Sequence, residues 1–263
     1  MAELISERIS RNAKELKLLS LAETADDLVE RAEQAKLGYR EFLDLVLESE
    51  VGVLDGRRYA SRLKLSGLPH HKTLEEFDAS FQPELDPKRL AELRSLRFIE
   101  RHVCAVILGP PGVGKTHIAV GVAMDALKAG YMVRYTTLDD LIRELRQADR
   151  LGNLRQKLSH YQRPHLLICD EVGYLPLEPA DANRFFQLIN RRYTRSSTIV
   201  TSNKRVSEWA ALFGDEILAA AILDRLLHDA EVPAINGPSW RLRGRGEILD
   251  EGSRKKDPKT PAG

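Results

Sequence analysis

The octapeptide Gly109-Pro110-Pro111-Gly112-Val113-Gly114-Lys115-Thr116 constrains the fold more than any other feature of the chain. It fits G-x-x-x-x-G-K-[ST], follows the apolar run VCAVIL and leads into the amphipathic run KTHIAVGVAMDALKAG. That context predicts a strand, a phosphate-cradling loop and a helix in direct succession. Glycines let consecutive backbone N–H groups turn toward a polyphosphate, and the helix N-terminus adds the positive end of its dipole. Lys115 is then placed to reach β- and γ-phosphates and the Thr116 hydroxyl to ligate Mg²⁺, with His117 directly after the loop in the same candidate set. The ligands implied are ATP and Mg²⁺.

Around this loop, short apolar runs alternate with helical ones. VCAVILG, YMVRYTT, HLLICDE, STIVTSN and VPAIN read as strands; the segments between them, including DDLIRELRQA, ANRFFQLINRRY and a helical pair over 206–229, read as helices. Strands separated by helices of this length pair in parallel through right-handed crossovers, so the fold class is α/β with a doubly wound parallel sheet. Upstream, from Ser6 to about Leu65, apolar residues recur at helical spacing (Leu16, Leu19, Leu28, Ala32, Ala35, Phe42, Leu45, Val46), which predicts a small all-helical N-terminal domain. Gly67, Pro69, Pro83 and Pro87 break the periodicity, and Asp86 followed by Pro87 marks the cap and first turn of a new helix. The expected organisation is a helical domain over 1–68, an ATPase domain over 69–246, and a disordered tail over 247–263 without an apolar stripe.

The 263 residues, 43% hydrophobic and 30% charged, contain no apolar run near the length of a membrane span, and the N-terminus lacks the apolar block of a secretory signal. A cytoplasmic protein with no membrane association is expected. Cys104 and Cys169 lie within apolar strands and read as buried thiols rather than metal ligands. Trp209 and Trp240 read as packed residues.

The run LLICDE ends in two acids, which a buried parallel strand delivers to the carboxyl edge of the sheet, where α/β folds bind ligands. Asp170 is the candidate Mg²⁺-side carboxylate and Glu171 the candidate general base for an attacking water. An N-cap acid followed by a solvated one is the bland alternative. The adjacent acids favour hydrolysis over transfer to an acceptor, as in a small-molecule kinase. STIVTSN ends in Asn203, whose amide can hold the water against the γ-phosphate; a simple turn Asn is the alternative. Arg225, in AILDRLLHD, is the candidate for neutralising charge that develops during hydrolysis, unless it pairs within its helix with Asp229.

The order GPPGVGKT, LLICDE, STIVTSN, ILDRL resembles the AAA+ superfamily in its initiator and helicase-loader branch. More narrowly, SRLKLSGLPHHKTLEEFD, GYMVRYTTLDDLIREL, LLICDEVGYLPLEPADANRFFQLINRRY and SWRLRG resemble the IstB-like ATPases, transposition helpers similar to the DnaC helicase loaders. The resemblance covers roughly residues 35–245. It implies ATP-dependent self-assembly into a homo-oligomeric ring or helical filament on double-stranded DNA, and delivery of that DNA to a cognate transposase; the alternative partner is a replicative helicase. It also implies Asp170 and Glu171 as Walker B, Asn203 as sensor 1 and Arg225 as an arginine finger. The stretch after VPAIN is too short for the helical lid that carries sensor 2 in most AAA+ proteins, so no such residue is assigned.

Although the net charge is only +1, residues 57–72 carry Arg57, Arg58, Arg62, Lys64 and Lys72 without an acid. That asymmetry suits a surface that tracks phosphates independently of base sequence; a solvated helix face plus linker is the alternative. Arg143, Arg146, Arg150, Arg155 and Lys157 form a second candidate, which by resemblance to initiator-type ATPases faces the axis of an assembly. In a third block, Arg184 to Arg205, Arg191, Arg192 or Arg195 could meet a neighbouring subunit's nucleotide. A nucleotide-dependent scaffold with negligible turnover is a further reading.

Overall fold

A computed structural model describes residues 2–174, 176–235, 237, 239 and 240. The tail over 247–263, and with it the expected disorder, lies outside the described residues, as does most of SWRLRG, on which the absence of a lid rests. Contacts divide the chain into two compact units, 1–64 and 65–263. The division falls in the last turn of a helix, whereas the sequence placed it at the chain-breaking residues near 68.

The first unit is built from α1 (Ala2–Glu15), α2 (Leu19–Gln34) and most of α3 (Tyr39–Ser66). Ala13, Leu28 and Ala32 form its buried apolar centre. Helix α2 begins after Leu18, whose side chain cannot cap it, and the buried carboxylate of Glu50 on α3 accepts from the Leu21 N–H instead. One orphan donor of the helix N-terminus is thereby satisfied by a neighbouring helix.

In the second unit, Asp86 caps α4 (Pro87–Arg94) by accepting from Lys88 N, with Pro87 in the first turn as the sequence predicts. Leu96 then takes a left-handed backbone and breaks the helix before α5 (Arg97–Glu100). Four strands follow: β1 (Ala105–Leu108), β2 (Val133–Thr137), β3 (Leu166–Val172) and β4 (Ser197–Ser202), all parallel, in the order β1-β4-β3-β2. They alternate with α6 (Lys115–Lys128), α7 (Leu138–Arg150), α8 (Leu154–Gln162) and α9 (Pro179–Arg192). This is the expected doubly wound sheet, with crossovers on both faces.

The run VPAIN, expected as a fifth strand, contributes isolated parallel bridges to the outer side of β1, Ala105 with Glu231 and Leu108 with Ala234. Pro233 between them has no N–H to donate, so it only accepts, from Leu108 N, and a continuous ladder cannot form. The predicted helical pair is α10 (Trp209–Phe213) and α11 (Glu216–Leu227), preceded by a single 3₁₀ turn. Thr137 and Asp215 cap α7 and α11 by accepting from Asp140 N and Leu218 N. Buried residues of α7, Leu138, Leu141, Ile142, Leu145 and Ala148, follow the helical period and face the sheet. On the same side Phe185 stacks on Phe213, and Trp209 is fully buried as expected.

Candidate functional site

The loop between β1 and α6 has the backbone that its glycines predict. Gly112 and Gly114 adopt φ of +83° and +98°, in the left-handed region that L side chains avoid. Space is limiting as well: a Cβ on Gly112 would lie 2.0 Å from Ser239 Oγ, and one on Gly114 2.7 Å from the Phe77 ring. The loop therefore lies against the 69–82 segment on one side and residues 239–240 on the other. Lys115, buried at the start of α6, donates through Nζ to the carbonyls of Gly109 and Pro110, 2.8 Å each. Its charge is held over the loop by groups it can exchange for phosphate oxygens.

Adjacent residues of a regular strand project to opposite faces, so neighbouring acids should not both enter one cleft. Here they do, because β3 is bulged. Cys169 pairs with Val200 and Val172 with Ser202, so Asp170 and Glu171 together oppose the single residue Thr201. Glu171 absorbs the extra residue at φ +62°. The Thr201 hydroxyl stitches the bulge, accepting from Glu171 N at 3.1 Å and donating to Asp170 Oδ1. Asp170, almost fully buried, also accepts from Thr116 Oγ1 at 2.9 Å and Tyr135 OH at 2.7 Å. Burial first, and then the bond to Asp170, push the Tyr135 phenol well above its ordinary pKa, so it remains a donor.

Asp170, Glu171, Thr116, Lys115 and Asn203 line one cleft of about 470 Å³. Asn203 Oδ1 is buried there without a hydrogen-bond partner, an acceptor that a bound water can satisfy. Thr116 and Asp170 could hold Mg²⁺, whose remaining positions are normally filled by phosphate oxygens and water. His117, also in the wall, donates through Nε2 to Thr73 O at 2.8 Å and meets Phe77 edge-on, tying α6 to the 69–82 segment. Burial, with a smaller contribution from Lys72, lowers the pKa of His70.

Four contributors to this cleft escaped sequence reasoning. Tyr135 and Thr201 sit inside apolar strands, where a hydroxyl reads as incidental, and Phe77 and Phe81 sit in a segment that reads as a linker. Trp240, expected to pack, is half exposed in the cleft wall, edge-on to Phe81, with its backbone N–H donating to Gly112 O. A Gly-x-Gly loop requires close neighbours, but their positions along the chain are not encoded in the loop itself.

Arg225 does not line the cleft. Its Nε donates to Asn190 on α9, its guanidinium lies 4.9 Å from the Phe186 ring centre, and no bond to Asp229 forms among the described residues. The other arginines separate by partner. Arg146 clamps the solvent-shielded carboxylate of Asp181, tying α7 to α9 and holding that carboxyl below its usual range, while Arg143 pairs with Asp139 and Asp140. Lys157 pairs with Glu144, whereas Arg150 and Arg155 are exposed and carry no ion pair among the described residues. In the first unit Arg57, Arg58 and Lys64 are exposed, Arg58 pairing with Asp55, and Arg62 is partly buried.

Arg192 corrects an expectation. Rather than reaching a neighbouring subunit, its guanidinium is fully buried, donating to Thr198 Oγ1 and to the carbonyls of Tyr161, Gln162, Pro164 and Ser197. Burial lowers its pKa to about 9. Cys104 and Cys169 are free buried thiols, both pushed up by burial, as the apolar runs around them predict. Among the described residues no helix is long and apolar enough to cross a membrane.

The sequence profile of the family described as IstB-like ATP binding protein matches residues 11–247. The chain is 42% identical over 239 residues to the insertion sequence IS5376 putative ATP-binding protein of Geobacillus stearothermophilus, an alignment that covers 91% of this chain and 95% of that one. It is 45% identical over 228 residues to the insertion sequence IS21 putative ATP-binding protein of Pseudomonas aeruginosa, covering 87% and 86%. Among solved structures, the replication initiator DnaA bound to AMPPCP and single-stranded DNA superposes with a TM-score of 0.53 at 22% identity, over 73% of this chain and 58% of that one. At that identity the likeness bears on the fold, which is of the AAA+ type.

Proposed function

The chain belongs to the IstB-like ATP binding protein family, and from that premise we propose that it is a Mg²⁺-dependent ATPase that assembles on double-stranded DNA and makes that DNA available to a transposase. The observation that carries the hydrolytic part is the bulge in β3, which brings Asp170 and Glu171 into the same cleft as Lys115, Thr116 and the unpartnered Asn203 Oδ1.

Lys115 exchanges the loop carbonyls for β- and γ-phosphate oxygens, and the loop N–H groups take up the remaining charge. Mg²⁺, when bound, would neutralise charge on the phosphates as the γ-phosphoryl group leaves. Thr116 offers it a hydroxyl, and Asp170, held rigid by Thr116, Tyr135 and Thr201, supplies the carboxylate on that side. Asn203 holds a water through its free carbonyl. Glu171 accepts a proton from that water as its oxygen attacks the γ-phosphorus, and the bond to the β,γ-bridging oxygen breaks, leaving ADP and phosphate. Arg225, outside its own cleft, is the group that a neighbouring subunit would use as an arginine finger.

DNA contact is assigned to Arg57, Arg58, Arg62 and Lys64, with Arg150 and Arg155 as the free cations of the second candidate. Arg143 and Arg146 are the weaker members because their charges are already paired. The relatives' insertion-sequence names favour a transposase over a replicative helicase as the partner. The test is phosphate release from ATP, with and without Mg²⁺ and duplex DNA, with imaging of the complexes. Turnover that requires Mg²⁺ and rises with DNA is expected. Nucleotide-dependent assembly without turnover would replace the reading with that of a passive scaffold.

A further inference from the structure

The nucleotide cleft lies at the carboxyl edge of the sheet, and a second cavity of about 450 Å³ opens at the opposite edge. Its wall is made by the residues that lead into the four strands: Glu100 and His102 before β1, Tyr131 before β2, Arg163 and His165 before β3, Arg195 and Ser196 before β4. At about 3.3 Å per strand residue, roughly 15–20 Å of sheet separates the two sites.

This wall is rich in donors without partners. Arg163 and Arg195 are exposed, and neither pairs with a carboxylate among the described residues. Glu100, the acid in this wall, is also exposed and forms no ion pair with them. His165 Nδ1 accepts from Met132 N at 2.9 Å, which leaves Nε2 carrying a hydrogen to donate. Ser196 is 93% buried, being 7% exposed, and its hydroxyl has no hydrogen-bond partner. A buried orphan hydroxyl is costly enough that its partner is to be sought in a ligand.

Helix carboxyl ends converge on this edge, and their free carbonyls would ordinarily repel an anion. Here Arg192 removes that objection. Its guanidinium takes the carbonyls of Tyr161, Gln162 and Pro164 at the end of α8, and it stands as a buried positive charge directly behind Ser196, whose N–H donates to Arg192 O. The Tyr131 ring, edge-on to His165 at 5.6 Å, gives one side of the cavity an apolar face, and the volume exceeds what a bare oxyanion needs.

We propose that this cavity is a second phosphate-ester site, distinct from the nucleotide cleft, in which Arg163 and Arg195 hold the anion and Ser196 and His165 Nε2 orient it. The phosphate can come from a free nucleotide or from a DNA strand, and the experiment separates these sources. In a Lys115→Ala background, which removes the first phosphate loop, equilibrium dialysis of the full chain against labelled inorganic phosphate is expected to show about one retained site per chain. Arg163→Gln with Arg195→Gln should lower that retention at least tenfold. Ser196→Ala should lower it severalfold at a melting temperature no lower than that of the native chain.

In the otherwise native chain the two glutamine changes should leave ATP binding intact. Anisotropy of a labelled duplex then identifies the source. A salt dependence flattened by about one unit assigns the site to a DNA strand, and an unchanged slope assigns it to a free phosphate ester. No retained phosphate in the Lys115→Ala background, or equal retention after loss of both arginines, overturns the site. Full retention in Ser196→Ala overturns the cavity as its location.

Discussion

Glu171 sits at φ +62° within a β-strand, a backbone that costs a non-glycine residue about 1–2 kcal/mol. Its carboxylate is exposed and makes no hydrogen bond among the described residues, so the strain is not repaid by a side-chain contact. Strain of this kind persists where geometry matters more than stability. Glu171→Gly should therefore relieve about 1–2 kcal/mol, against which the extra freedom of glycine in the unfolded chain sets about 0.5–1 kcal/mol. The net expectation is a stabilisation of about 0.5 kcal/mol, an upward shift of about 1–2 °C at the scale of this unit. The Thr201 bond to the residue 171 N–H survives the change, so the bulge and Asp170 stay in place. Val172→Gly, one residue on and fully buried in ordinary strand backbone, should instead lose about 2–4 kcal/mol. Thermal melts without nucleotide, paired with steady-state ATP turnover, read both quantities. A more stable protein that no longer hydrolyses ATP is the expected result. A melting temperature lowered by more than about 2 °C would refute the strain argument, and retained turnover would remove Glu171 as the base.

Arg225→Ala should keep folding and ATP binding, losing about 1 kcal/mol with its ring contacts, but should lose about 10³-fold or more of DNA-stimulated turnover. Mixing it with Lys115→Ala should restore part of that turnover once co-assembly is demonstrated; continued inactivity of proven mixed assemblies would place the finger elsewhere, at Arg191 or Arg195. Changing Arg57, Arg58, Arg62 and Lys64 to Glu should weaken duplex binding and flatten its salt dependence by roughly one unit per lost contact, with DNA-free ATP binding unchanged; unaltered affinity and slope would move the interface toward Arg150 and Arg155. Arg192→Met strands buried carbonyls and should cost about 3 kcal/mol or more, whereas Arg195→Ala, on an exposed side chain, should stay within about 0.5 kcal/mol in a denaturant titration.

The sheet was legible because its strands are short apolar runs closed by Gly, Asp or Asn, and the phosphate loop because its glycines and Lys115 obey fixed spacing. What could not be read was whatever depends on register. The bulge at Asp170 and Glu171 is a property of β3 against β4, and nothing within LLICDE distinguishes a bulged pair from a regular one. Tyr135 reaches Asp170 because β2 lies beside β3, a neighbour relation that the run YMVRYTT does not carry. Pro233 did carry a signal: a residue without an N–H argues against a continuous strand at VPAIN, and bridges on either side of it are what form.

The arginines show where closer reading of period would have served better than counting charge. The buried positions of α9 are Asp181, Ala182, Phe185, Leu188, Ile189 and Arg192, a single helical stripe that starts with an acid and ends with a base. Arg192 is four residues beyond Leu188 and three beyond Ile189, so its phase alone directs it inward. Arg191 is out of phase and stays partly exposed. Both charged ends of the stripe are tolerated for a physical reason. Asp181 is met by the arginines of α7 and α9, and Arg192 is met by carbonyls that the end of α8 leaves open. Arg184, paired with Asp181, Arg191, partly exposed, and Arg192, buried, thus have three environments within one basic run, and helical phase rather than local charge density decides which of them is free to meet another molecule.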